Sequence, residues 1–277
     1  MPDGYGIRQA EAMDRLGPLC VGIDPHAGLL KQWELSDDAE GLREFSLRLV
    51  EALGGRVAAF KPQSAFYERH GSKGVAVLEE TLDAIRSFGS ISILDVKRGD
   101  IGSTMDGYAE AYLGENSSLR ADAMTVSPYL GPGSLEATAR MANATGRGLY
   151  VLALTSNPEG PELQHIGGDG GSVAGRVVSA MANLNEELSD DIGPVGLVVG
   201  ATVGESAKRL GIDLAAYNGI FLAPGVGAQG AGGAEVREVF GRARVLASAS
   251  RSVLRAGPNA DDLRSAAKAT LSDISNG

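Results

Sequence analysis

Short apolar runs rich in β-branched residues, each closed by a turn or polar residue, recur eight times, over 19–25, 56–63, 91–97, 123–129, 149–156, 195–202, 219–224 and 243–250. Between them apolar residues return every three or four positions, as in Leu42, Phe45, Leu49 and Leu53, or Val75, Leu78, Leu82 and Ile85. That spacing lines one face of a helix, so strand and helix alternate. Near-continuous apolar strands are covered on both faces, and helical crossovers make neighbouring strands parallel. An open doubly wound sheet or a closed barrel satisfies this pattern. Eight units within about 250 residues favour the (β/α)8 TIM barrel of the α/β class.

The same reading predicts an extra N-terminal helix over 5–16 and a last helix over 258–274, with Asp261 and Asp262 in its first turn. No internal repeat, low-complexity tract or Pro-rich linker divides the chain, so residues 1–277 read as a single barrel domain. The glycine-rich stretch 160–175 reads as a mobile loop.

Composition narrows the function. Apolar residues at 43% and charged residues at 22% suit a globular protein with a sizeable core, and no apolar run approaches a membrane span. A net charge of -10 argues against nucleic acid as a partner, but not against a small anion held by a few basic groups. The lone Cys20, in an apolar run, reads as a core residue in a reducing compartment, which points to the cytoplasm. His26, His70 and His165 show no metal-ligand spacing, and no metal is expected. His26 lies near the barrel mouth by position, His70 and His165 read as loop residues, and Trp33 and Tyr129 read as packing residues.

Active sites of such barrels assemble at the C-terminal ends of the strands, where Asp24, Lys61, Asp95 with Lys97, Ser127, Ser156, Thr202 and Arg251 stand. Strand alternation points Asp95 and Lys97 to the same side, into the barrel, and turns Val96 toward the helices. Burying these charges costs several kcal/mol per ion unless they are paired and hydrogen-bonded. A structural ion pair closing the barrel mouth is one explanation. Lys61, ending the neighbouring second strand, changes the balance: alternating cations and anions hold lysines protonated and ready to donate a proton.

The segment Asp95-Val96-Lys97-Arg98-Gly99-Asp100-Ile101, with Thr104, resembles the Asp-x-Lys-x-x-Asp-Ile-x-x-Thr motif of the orotidine 5'-monophosphate decarboxylase family, and Phe60-Lys61-Pro62 resembles its second-strand lysine. The resemblance runs from Asp24 to Arg251. Arg98-Gly99 and Gly102 depart from the shorter branch of that family and point to its longer bacterial branch. It implies conversion of orotidine 5'-monophosphate to UMP and CO2 without a cofactor. Lys97 would protonate C6, Asp95 would stand beside the departing carboxylate, and Lys61 would tie the network together and reach the ribose. Asp100, Ile101 and Thr104 would serve the site of a second subunit, which implies a homodimer with shared sites. Arg98 is then expected as a salt-bridge partner at that interface.

The segment Ala223-Pro224-Gly225-Val226-Gly227-Ala228-Gln229-Gly230 ends the seventh strand, and Ser250-Arg251-Ser252 the eighth, the usual place for a phosphate on this fold. Glycines admit a ligand close to the backbone, and an arginine offers a forked donor to phosphate oxygens. The resemblance implies that Gln229 bridges phosphate and base from a closing loop, while Arg251 and the backbone near Pro224, Gly225 and Ser250 hold the phosphate. It also implies that Ser156 bonds the pyrimidine amide edge and that Asp24 binds ribose hydroxyls. Two other readings stay open: a magnesium-dependent sugar-phosphate enzyme of the same barrel group, and a barrel that binds phosphorylated ligands without chemistry.

Overall fold

Each of the eight apolar runs forms a strand: β1 (Leu19–Ile23), β2 (Ala59–Pro62), β3 (Ile91–Arg98), β4 (Ala123–Val126), β5 (Gly148–Leu154), β6 (Val195–Val199), β7 (Phe221–Pro224) and β8 (Val245–Ala249). In the computed structural model, which describes residues 4–189, 191–226 and 232–276, they close into one barrel in chain order. All neighbours run parallel, including β8 against β1, where Cys20 faces Ser248. Most predicted runs overshoot at their C-terminal ends. Pro25, Ser127 with Pro128, Thr155 with Ser156, and Thr202 leave the ladder and build the loops above the barrel.

Strand alternation sorts the core into two shells. Leu19, Val21, Phe60, Leu94, Val96 and Leu149 pack outward against the helices. Cys20, Ala59, Ile93, Ala123, Tyr150, Val198 and Leu246 fill the barrel. Burial pushes the Cys20 thiol up to about 12, so this cysteine is an inert core residue. Helix α1 (Tyr5–Leu16) takes the predicted bounds and plugs the N-terminal end of the barrel. Its Tyr5 is buried against Tyr150, ring edge to ring face, with the two hydroxyls 3.2 Å apart. The last helix, Ala260–Asn276, has Asp261 and Asp262 in its first turn as expected, and the Asn259 Oδ1 caps it by accepting from their N–H groups.

Several expectations need correction. The glycine-rich 160–175 stretch holds the helix Gly160–Gln164 and the start of Val173–Leu188, capped by Ser172, with only the residues between them in turns. Trp33 is a packing residue, stacked near Phe45 with its Nε1 donating to the Leu254 carbonyl, but Tyr129 is 76% exposed because β4 stops at Val126. His70 and His165 do lie outside the helices, in turns that flank Gly71–Ser87 and Gly160–Gln164. Among the described residues no helix is long and apolar enough to cross a membrane.

Candidate active site

A cavity of about 530 Å³ opens at the C-terminal ends of the strands. Its charged lining consists of Asp24, Lys61, Asp95, Lys97 and Arg251. Three cations against two carboxylates make it locally positive in a chain of net charge -10, as an anionic ligand requires.

Asp95 is the hub. Its Oδ2 accepts from Lys61 Nζ at 3.0 Å, and its Oδ1 accepts from Lys97 Nζ at 2.5 Å and from Thr125 Oγ1 at 2.8 Å. The side chains of Lys61 and Asp95 are nearly closed to water, at 9% and 8% exposure, whereas Lys97 is 47% exposed toward the cavity. Asp95 and Lys97 do share the site, but not by simple alternation. Between the paired positions Leu94–Met124 and Arg98–Val126, the three residues Asp95, Val96 and Lys97 face only Thr125, so β3 bulges. Lys97 takes a left-handed φ of 46°, a conformation that costs a non-glycine residue about 1–2 kcal/mol and that tends to persist at functional sites. Its N–H leaves the ladder and donates to Thr125 Oγ1 at 2.9 Å. The bulge thus bends the long lysine back over the carboxylate.

Burial by itself would raise the Asp95 carboxyl, yet the ammonium groups of Lys61 and Lys97 and their hydrogen bonds hold it well below the usual carboxylate range. Burial would likewise lower Lys61, but Asp95 and then Asp24 hold it above its ordinary value. Asp95 and Lys61 therefore stay ionised throughout the neutral range.

The remaining cavity groups come from both ends of the chain. Asp24 Oδ1 is buried and has no hydrogen-bond partner among the described residues, an acceptor free for a ligand hydroxyl. Ser250 Oγ and Asp24 Oδ2 stand 2.0 and 3.2 Å from where a Cβ on Gly22 would sit, so only glycine lets β1 and the end of β8 bring them together. Gly225 (φ 94°) turns the chain after Pro224, and both line the cavity with Ser156, Ser250 and Arg251. Gln229 lies outside the described residues. Asp100, Ile101 and Thr104 do not line this chain's cavity; Ile101 is 62% exposed, and Asp100 Oδ1 accepts from the Ile101 N–H.

Two of the strand-end residues also lie elsewhere. Ser127 and Thr202 are not in the cavity lining, and the Ser127 N–H donates to the Arg98 carbonyl. Arg98 pairs within the chain, with Glu68 at 2.6 Å and over the rings of Tyr108 and Tyr112. His26 lines the cavity, with Nδ1 accepting from the Leu29 N–H. Thr125 went unnoticed in the sequence, although it lies two residues after the inward-facing Ala123 and is therefore a polar residue on the barrel face. Gln63 also approaches the cluster, its Nε2 3.5 Å from the Asp95 carbonyl. Among the described residues no group of three or more His, Cys, Asp or Glu could hold a metal ion.

A family model, described as "Orotidine 5'-phosphate decarboxylase / HUMPS family", matches residues 17–266. The chain belongs to this family. Among its relatives, the orotidine 5'-phosphate decarboxylase of Salinispora arenicola (strain CNS-205) is 55% identical over 274 residues, 98% of this chain and 97% of that protein. The protein of the same name from Streptomyces coelicolor is 54% identical over 269 residues, covering 95% of this chain and 94% of its own length. The crystal structure of a Streptomyces avermitilis homologue superimposes with a TM-score of 0.93 at 52% identity, over 99% of this chain and 95% of that one. Leishmania donovani OMP decarboxylase superimposes with a TM-score of 0.79 at 31% identity, over 99% and 98%. The eight-stranded barrel and its mouth are thus the family's architecture.

The charge cluster sets a pH dependence. Asp95, with a depressed folded value, contributes stability that is present above its unfolded value of about 4 and lost as pH falls through the folded one; Lys61, with a raised value, contributes stability that is complete below about 10 and lost as pH rises through its folded value. Asp95→Asn leaves Lys61 buried without its anion, and is expected to lower stability at pH 7 by about 3 kcal/mol. Because an unpaired buried lysine prefers to be neutral, the variant should regain stability between about pH 7 and 10, where the parent does not. Urea unfolding at these pH values checks this, and a variant as stable as the parent at pH 7 would contradict the pairing.

Proposed function

We propose that the chain is a single-domain orotidine 5'-phosphate decarboxylase, converting orotidine 5'-monophosphate to UMP and CO2 in pyrimidine biosynthesis without a metal or organic cofactor, and that it works in the cytoplasm. The observation carrying this reading is the ammonium of Lys97, half open to the cavity and 2.5 Å from the buried carboxylate of Asp95. Breaking the bond between C6 and the carboxyl carbon leaves its electron pair in the plane of the pyrimidine, where the ring π system does not delocalise it. A fixed cation beside C6 stabilises that pair and then supplies the proton that quenches it. Lys97 takes this role and recovers its proton from water after CO2 has left.

Asp95 serves twice in this scheme. Its charge pairs with the Lys97 ammonium and holds it beside C6, and it repels the substrate carboxylate until that group departs as neutral CO2, an interaction unfavourable only in the ground state. Lys61 joins Asp95 to the ribose side, where Asp24 accepts hydroxyl donors. Ser156 meets the base, and Arg251, with the chain at Pro224, Gly225 and Ser250, holds the phosphate, joined by Gln229. Binding energy from the phosphate is then available for catalysis at C6.

The half-buried Asp100 and the exposed Ile101 and Thr104 complete the site of a second copy in this reading. Ile101 (62% exposed), Tyr129 (76%) and Leu130 (52%) follow the adjacent strands β3 and β4 and offer an apolar surface for that copy.

Mixed with orotidine 5'-monophosphate in EDTA, the protein should bleach the orotate absorbance, and Lys97→Ala should lower kcat by at least about 10³-fold while nucleotide binding persists. No bleaching, a need for magnesium, or a near-normal rate in the variant defeats the reading. Mixing inactive Lys97→Ala and Asp100→Ala subunits should restore part of the activity through hybrid dimers carrying one intact site. Hybrids that form, as seen by native mass spectrometry, yet stay inactive contradict shared sites.

A further inference from the structure

One buried hydroxyl, at the wall of the cavity, meets both members of the Asp95–Lys97 pair. Thr125 is the single residue of β4 opposite the β3 bulge, and it is 1% exposed. Its Oγ1 accepts from the Lys97 N–H at 2.9 Å, so its own proton is directed to the remaining acceptor, Asp95 Oδ1, at 2.8 Å. We propose that Thr125 is a positioning residue: it pins the left-handed backbone of Lys97 under the carboxylate and keeps Asp95 ionised while Lys97 is without its proton. The inference rests on the decarboxylase reading.

When Lys97 gives its proton to carbon it becomes a neutral amine, and its hold on Oδ1 weakens. Oδ2 keeps Lys61, and Oδ1 keeps Thr125. The titratable groups facing Asp95 are Lys61 from β2, Lys97 from its own strand and Cys20 from β1, while Asp24 faces Lys61 and Cys20. Thr125 is the donor among these neighbours whose state does not change with pH. Without it, Oδ1 would be a bare buried acceptor in mid-reaction, and protonation of Asp95 would become the easier state. The Lys97 N–H would also lose its acceptor, freeing the strained backbone to relax and carry the ammonium away.

Thr125→Val keeps the shape and removes the hydroxyl, while Thr125→Ser keeps the hydroxyl. With orotidine 5'-monophosphate, the valine variant should lose about 10²-fold in kcat, the scale of deleting one donor to a charged group in the transition state, with KM within about threefold. The acid limb of its kcat–pH profile should move to higher pH, and serine should restore both the rate, within about tenfold, and the limb. Valine that keeps kcat within about threefold with the limb unmoved, or serine as impaired as valine, overturns the proposal. A ¹³C-carboxyl NMR titration, with the Asp95 signal identified by its loss in Asp95→Asn, needs no activity. The parent signal should remain ionised down to about pH 4, and the valine variant should begin to titrate above it. If the parent fails to bleach orotate, the decarboxylase reading falls while this titration still judges Thr125, and an unmoved signal overturns it. Should valine not fold, Thr125→Cys, with its weaker donor, should shift in the same direction; a cysteine variant indistinguishable from the parent overturns the proposal.

Discussion

A carboxylate buried at the mouth of a barrel has to be answered by donors, and the answer given to Asp95 organises the site. Its two oxygens carry three bonds, from Lys61, Lys97 and Thr125, contributed by three consecutive strands. Remove the charge, and two lysines face each other in a place built to hold an anion between them. The closed barrel makes this possible, because parallel neighbours in chain order bring the ends of β2, β3 and β4 side by side.

The local sequence bends to this requirement. A regular β3 would leave Lys97 on the same face as Asp95 but extended away from it; the bulge and the left-handed turn at Lys97 fold its ammonium back onto the carboxylate two residues earlier. The cost of that backbone is offset by the hydrogen bond from the Lys97 N–H to Thr125 and by the ion pair itself. On β1, beside Lys61, Gly22 gives Ser250 and Asp24 the room to face the same cavity. A site whose acid is strained, paired and half open to a positively charged cavity is preorganised for an anionic substrate that becomes more negative at one carbon.

Much of this was legible in the sequence. The eight strands stood out because both faces of each are covered, which leaves uninterrupted apolar runs, and helix α1 was bounded correctly because its apolar face packs under the barrel. Lys61, Asp95 and Lys97 were legible because charges at the ends of such runs have few structural explanations. What stayed hidden has physical reasons. Alternation assumes a regular strand, so it placed Lys97 on the right side without revealing the bulge. Thr125 is an isolated hydroxyl inside an apolar run and acquires meaning only from the strand beside it. Ser127, Thr202 and Tyr129 were misplaced because strands end where the ladder loses partners, which the apolar pattern does not mark. The glycines of 160–175 hid two helix termini, since a glycine-rich stretch can connect helices as easily as form an open loop.

The central claim is that this ion cluster releases CO2 and delivers a solvent-exchangeable lysine proton to the carbon it leaves. Running the reaction in D2O and examining the product by NMR tests it most directly. UMP carrying a single deuterium at C6 is the expected result; no UMP, or UMP with protium at C6, would contradict the account.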